Sequence, residues 1–208
     1  MNFKYYDLLS NLTTGVIALF VIWHCCFPLI SISEWVVLPA GYVVGFFLNS
    51  FASLIEPVLF KTICGKPSDK LLTPIPGQNW TGTKKIRFYF AKDVIGLLRK
   101  DTGDDDASPD KMFGYAMNIV NGLNDSRVSD FNGHYAMSRA VFASILVSIV
   151  FVEICYYYVW YSWVVSIVLL LLAWNRFKEY GYYYAKEVLS VYLKMRLEDG
   201  KTSSNDRV

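Results

Sequence analysis

The residues best placed to do chemistry in this chain are ionisable groups inside apolar runs, and charged groups where such runs begin. His24 and Glu153 are the clearest of the first kind. An ionisable side chain in a membrane span costs free energy and is usually retained for a purpose. The two lie at similar depth if both their helices run outward, so pairing between them is one reading. In the other, Glu153 reaches interfacial water and His24 bonds a backbone carbonyl. Of the second kind, His134 lies in Asp130-Phe131-Asn132-Gly133-His134-Tyr135-Ala136-Met137-Ser138-Arg139, just ahead of an apolar run. That grouping suits an acid–base site or, with Tyr135, His134 and Arg139, interfacial anchoring.

A basic-aromatic run, Lys84-Lys85-Ile86-Arg87-Phe88-Tyr89-Phe90-Ala91-Lys92, is the best anion-binding candidate. Cations beside aromatic rings suit nucleotides and suit anionic lipid headgroups equally well. A helix expected over Lys84 to Lys100 places Lys84, Lys85 and Arg87 at its N-terminal amides, which also favour an anion, and Arg99 and Lys100 at its end. With His134 and Arg139 these form the expected ligand-binding set. A further group, Gly41-x-x-x-Gly45 with Asn49 on the same face, lets helix backbones approach closely and offers a polar contact across them. It suits packing within one subunit or around an oligomer axis with Asn49 facing water.

No phosphate-binding loop, nucleophile elbow, His-Glu-x-x-His or paired Cys-x-x-Cys occurs. Cys25, Cys26, Cys64 and Cys155 lack metal spacing and read as small apolar side chains, although Cys26 and Cys155 both fall in the outer half of their spans. Asp101 to Asp106 lacks the ligand spacing of a calcium loop and reads as a solvated linker. No catalytic residue, metal or cofactor is expected, and the chain is not expected to be an enzyme. A net charge of +2 does not by itself imply a nucleic-acid partner.

The elements that must position these residues follow from the placement of Lys and Arg. None of the 20 lies between Lys4 and Lys61 or between Arg139 and Arg176. Those gaps are the most apolar stretches of the chain, as in a multi-pass protein that keeps its positive charge on one side. The first gap holds two spans, Leu12 to Ile32 and Trp35 to Ile55, each near the roughly 20 residues needed to cross the hydrocarbon. The second holds Met137 to Tyr157 and Trp160 to Tyr180, joined by an aromatic turn. A single span there would separate the 12 Lys and Arg of the middle segment from the 7 of the tail. The expected fold class is therefore an all-α integral membrane protein, with four transmembrane helices in two hairpins and a small helical cytosolic domain.

The corresponding segments are a first transmembrane hairpin (1–56), a cytosolic helical domain (57–138), a second hairpin (139–176), a cytosolic amphipathic helix (177–200) and a disordered tail (201–208). Within 57–138 the prolines and glycines from Gly65 to Gly82 argue against regular structure at first. Ser108-Pro109-Asp110 then starts a helix, and Asn124-Asp125-Ser126 starts another that continues into the third span. Phe177, Tyr180, Tyr184, Val188, Val191 and Met195 form the apolar stripe of the last helix, ending at Gly200. Both termini are expected to be cytoplasmic, in a cell inner membrane.

The layout resembles the small multi-pass membrane effectors of bacterial anti-phage defence, of which the Hailong-type pore effector is one. The segment Phe131 to Arg139 leading into a span, and the face Gly41, Gly45 and Asn49, carry the resemblance. It implies an oligomeric pore or membrane-disrupting effector, gated from its cytosolic face by an anionic nucleotide or oligonucleotide. The expected partners are then the lipid bilayer and further copies of the chain, a tetramer being simplest. On this reading Gly41, Gly45, Asn49, His24 and Glu153 serve the pore or helix packing. The competing classes are a non-conducting scaffold or sensor that recruits a partner through its cytosolic helices, and a lipid-modifying enzyme using His134, Asp130 and Arg139.

Overall fold

The computed structural model describes residues 5–27, 33–123 and 126–205. The helices in chain order are α1 (Tyr5–Cys26), α2 (Glu34–Leu59), α3 (Pro67–Leu72), α4 (Ala91–Thr102), α5 (Pro109–Gly122), α6 (Ser126–Tyr156) and α7 (Trp160–Asn205). A π-helical turn, Phe60–Cys64, follows α2. The protein is almost wholly helical, and α1, α2, α6 and α7 are each long and apolar enough to cross a membrane. The chain divides into two compact units, 1–62 with 133–180 and 63–132 with 181–208, and α6 and α7 supply residues to both.

The first unit contains the four apolar helices. Its interior is built from small residues and rings: Ala18, Ala52, Ala140 and Ala143 are buried with Phe60, Phe142 and Phe177. Gly15 sits against Gly41 and Gly45, and Asn11 against Gly45, so α1 and α2 run antiparallel with their backbones in contact. Phe60, Phe142, Trp174 and Phe177 form a ring cluster, with Phe142 stacked on Phe177 and tilted against Trp174, and Phe60 tilted against both. The outer surface is apolar: Phe20 is 71% exposed, Leu54 73% and Leu172 62%. Such a surface is a liability in water and costs nothing against lipid tails.

The second unit has a core of Leu71, Phe88, Val94, Leu98, Met112, Ala116, Val120, Val188, Leu189 and Tyr192. Helix α5 begins where its Ser108-Pro109-Asp110 start predicts, with Ser108 Oγ accepting from the Lys111 N–H at 3.3 Å. The segment after Pro57 is more regular than its prolines suggest. Helix α2 continues through Pro57, and Pro67 opens α3 at a first-turn position whose N–H would be unsatisfied anyway. Gln78 to Phe90 is not helical, and here the sequence expectation fails. Thr81–Gly82 and Arg87–Phe88 form a short antiparallel pair, β1 and β2, with Thr81 opposite Phe88 and Gly82 opposite Arg87. Two local features displace the expected helix start. Gly82 has φ +97°, and a Cβ there would lie 2.5 Å from the Ile86 carbonyl oxygen. The Thr83 N–H also donates to the Ile86 carbonyl at 3.0 Å while the Thr83 hydroxyl accepts the Ile86 N–H at 3.0 Å, and this two-way pairing closes a turn between the strands.

The last helix differs from expectation as well. It does not stop at Gly200 but continues to Asn205, with 206–208 outside the described residues. The fourth span and the amphipathic segment form one 46-residue helix. Its core face in the second unit is Tyr182, Ala185, Val188, Leu189 and Tyr192, rotated from the predicted stripe because the buried tyrosines pack through their rings. The expected restart at Asn124-Asp125 and the end of the first span, Pro28 to Ile32, lie outside the described residues.

Candidate functional site

The strongest concentration of polar chemistry lies inside the first unit, where α1, α2 and α6 meet. Arg139 on α6 donates through one Nη to Glu56 of α2 at 2.7 Å. Its other Nη donates to the amide oxygen of Asn49 at 3.2 Å, one helical face back along α2. Asn49 passes its own N–H to Asn11 of α1 at 3.4 Å. The second carboxylate oxygen of Glu56 accepts the Tyr135 hydroxyl at 2.5 Å. The side chains of Arg139 and Glu56 are 20% and 23% exposed, and Asn11 is buried. Two opposite charges and three neutral polar groups thus form one connected cluster, in which each bond polarises the next.

Local sequence explains the assembly. Asn49 and Glu56 lie seven residues apart, close to two helical turns, so both face the same neighbour. Tyr135 and Arg139 are one turn apart on α6 and reach the same carboxylate. Gly45, one turn before Asn49, lets the Asn11 backbone approach so closely that a Cβ at Gly45 would lie 1.7 Å from the Asn11 carbonyl oxygen. The Nε–H of Arg139 is buried without an acceptor among the described residues, so the guanidinium is not fully matched in this arrangement.

A second polar cluster lies between α6 and α7. One oxygen of Glu153 accepts from Ser162 at 3.0 Å and from Ser166 at 2.6 Å, while its other oxygen is buried without a partner among the described residues. Between the two clusters, Ser144 Oγ donates to the Thr14 carbonyl at 2.8 Å, and the Thr14 hydroxyl turns back to the Ser10 carbonyl at 2.6 Å.

The structure regroups the residues picked out from sequence. Gly41 and Gly45 face α1 within the same chain, so that surface is already filled by Gly15, Val16 and Asn11. Asn49 is half-buried and hydrogen-bonds both Asn11 and Arg139. His24 is exposed and stacks on Phe20, and Glu153 takes serines as partners, so the two do not pair. Cys155 directs its thiol to the Cys25 carbonyl at 3.6 Å, and the cysteines are all free.

The predicted anion set falls on several different elements. Lys84 and Lys85 lie on the connection between β1 and β2, and Arg87 on β2 stacks over Trp80 at 5.1 Å. None of the three sits at a helix N-terminus, so the amide contribution expected from α4 does not reach them. Arg99 and Lys100 end α4, where their carbonyls accept from Gly103 and Asp104. Arg139 is already neutralised by Glu56. His134 instead stacks on Tyr180, whose ring also carries Arg176 at 5.3 Å. With Ser138 these line a cavity of about 210 Å³. Asp101, expected in a solvated linker, closes α4 by accepting from the buried Tyr192 hydroxyl and pairing with Arg196 Nε at 2.7 Å. Asp104 pairs with Lys111 at 2.7 Å.

Asn11, Tyr135 and Glu56 were not singled out as site residues. The available signal was polarity: each interrupts or borders an apolar run, and a polar side chain there needs a partner. Arg176 gave no signal beyond marking the end of a charge gap. Comparison with known proteins adds no family to this geometry: no protein-family model, no curated protein and no solved structure matches the chain.

Proposed function

We propose that this chain is a multi-pass membrane effector whose spanning helices form or gate a pore. The observation that carries the proposal is the Glu56–Arg139–Asn49–Asn11 cluster inside a largely apolar four-helix unit. An ion pair in that setting is expensive to keep, and intramembrane ionisable residues are by default functional candidates. It ties α2 to α6 by charge rather than by shape, which suits an element that must release. The orphaned Arg139 Nε–H and Glu153 oxygen support a unit built for a second arrangement, in which those atoms find partners or water.

On this reading both termini lie on the cytoplasmic side of an inner membrane, and several copies, most simply four, surround the conducting path. The filled Gly41/Gly45 groove moves any subunit contact to another surface, such as the exposed face of α2 bearing Phe47, Phe51 and Leu54. An anionic ligand in a defence setting remains the proposed signal. The pocket of His134, Arg176 and Tyr180 suits it better than Arg139 does, because Arg176 and the His134 imidazole flank an aromatic ring and Arg139 is occupied.

A scaffold or sensor is the second reading. A groove in the second unit favours it, with a volume of about 880 Å³, walled by Phe90, Leu97, Leu193 and Leu197 and edged by Lys92, Asp93, Lys194 and Glu198. An apolar floor with charged edges is what an amphipathic partner helix requires.

Flux from potassium-loaded liposomes separates the two. Purified wild type and the Glu56→Gln/Arg139→Met double variant would be reconstituted at equal density. The pore reading expects flux from at least one of them. Folded, inserted protein that leaves both preparations tight would sink it and leave the scaffold. Cysteine labelling at Ser33 and Thr202 tests the topology, with the proposed arrangement placing them on opposite faces.

A further inference from the structure

A cavity of about 490 Å³ opens between α1, α6 and α7, apart from the Arg139 cluster. Its walls are aliphatic, with Ile17 and Val21 from α1, Ile149 from α6, and Val165 and Leu169 from α7. Its lining also includes Ser148, Ser162 and Ser166, with Tyr156 and Tyr161. The volume is in the range of small-molecule sites, and the mixture of apolar wall with few polar groups is typical of them.

The chemistry of the Ser162 and Ser166 hydroxyls is set by a residue behind them. Ser162 and Ser166 both donate their protons to one oxygen of Glu153. A hydroxyl that has given its proton away presents only lone pairs to whatever else it meets. The carboxylate, 8% exposed, adds a fixed negative potential with no cation hydrogen-bonded to it among the described residues. Ser148 Oγ is buried and has no partner among the described residues. Ser162 and Ser166 therefore present acceptor oxygens to this cavity, with the Glu153 carboxylate behind them, inside an aliphatic sleeve. Anions are repelled there, plain alkanes leave the serine oxygens unmatched, and a cationic donor on an apolar tail satisfies both parts.

We propose that this cavity binds an amphipathic primary amine, its ammonium on Ser148, Ser162 and Ser166 and its tail along Ile17, Val21, Val165 and Leu169. The ammonium supplies three donors, matching the three hydroxyl oxygens. Membrane aminophospholipid and free long-chain amine share this chemistry. The site stands independently of any conductance, because it needs only the α1–α6–α7 packing.

The test is photolabelling of the full chain in phosphatidylcholine nanodiscs, using a dodecylamine that carries a diazirine at the tail end. Labelled peptides should come from α1, α6 and α7 around Ile17, Ile149 and Leu169. Excess dodecylamine should compete, and dodecanoate should not. Replacing part of the phosphatidylcholine with phosphatidylethanolamine distinguishes the sources: competition identifies the membrane lipid as occupant, and its absence identifies free amines. Glu153→Gln should cut labelling by about tenfold or more, the scale of a charge-assisted hydrogen bond. Should that variant fail to fold, Leu169→Trp fills the sleeve, keeps the carboxylate, and should block labelling equally. Equal competition by dodecanoate, or unchanged labelling in folded Glu153→Gln or Leu169→Trp, would overturn the proposal. Loss of labelling has no bearing on liposome flux, so the two readings fail separately.

Discussion

Removing Arg139 is the perturbation that interrogates the central cluster most directly. In Arg139→Ala, Glu56 keeps the Tyr135 hydroxyl but loses its counter-charge, and Asn49 loses a charged donor while keeping Asn11. Unit charges about 4 Å apart attract by about 4 kcal/mol at an effective dielectric of about 20. Leaving one partner of a fully buried pair uncompensated costs about 3–5 kcal/mol. The side chains here retain 20% and 23% of their exposure, so a lower figure of about 2–4 kcal/mol is expected. Hydrogen bonds between membrane helices average only about 0.6 kcal/mol, and Asn49→Ala leaves both charges paired, so it should cost less than Arg139→Ala. The double variant Glu56→Ala/Arg139→Ala removes both charges together. It should be less destabilised than the sum of the single variants by about 1.5–3 kcal/mol. Equilibrium unfolding in mixed detergent–lipid micelles, read by circular dichroism across the four proteins, gives the cycle. Additivity within about 0.5 kcal/mol would show the sites to be independent. An Asn49→Ala loss equal to that of Arg139→Ala would show that charge is not what holds α2 to α6. Either result refutes the argument.

Glycine replacements should divide sharply by position. Gly45→Ala forces α1 and α2 apart, because its Cβ would meet the Asn11 carbonyl, and should lower stability by about 1–3 kcal/mol. Gly114→Ala in α5, with nothing within 4 Å, should be neutral or stabilising by up to about 1 kcal/mol, and thermal unfolding of the pair compares them. Asp101→Ala removes the acceptor of the Tyr192 hydroxyl and the carboxylate paired with Arg196 in the second unit. It should cost about 2–4 kcal/mol, detected as faster hydrogen exchange in α4 and in α7 around Tyr192. The Lys111 ammonium, with help from the Asp106 N–H, holds the Asp104 carboxyl below the usual carboxylate range. A depressed folded-state value means the contact contributes fully above the ordinary range and is lost as pH falls through the depressed value. Protection factors in the 103–107 turn, with exchange rates corrected for their intrinsic pH dependence, should therefore fall on acidification, and Asp104→Asn should flatten that dependence.

The amino-acid sequence by itself determined how many long apolar helices there are and roughly where they lie. Charge gaps and span length are one-dimensional properties, and a helix of about 20 apolar residues satisfies its own backbone wherever it packs. The start of α5 was legible for the same reason, since Ser108 caps a backbone N–H three residues away. What lay beyond sequence were the choices that depend on partners far along the chain. Gly41 and Gly45 announce close packing, but only the fold shows that Gly15 and Asn11 fill the groove. Glu153 announces a buried carboxylate, and only the fold gives it Ser162 and Ser166 rather than His24. At Lys84 to Arg87 a local helix preference lost to a turn fixed by Gly82 and Thr83 and by the Thr81 hydroxyl on the Leu71 carbonyl, 2.6 Å away. The central cluster shows the division most plainly. Each of Asn11, Asn49, Glu56, Tyr135 and Arg139 is visible as a polar residue in or beside an apolar run. A buried polar group must find a partner, and which partner it finds is decided by the helices that tertiary packing brings alongside.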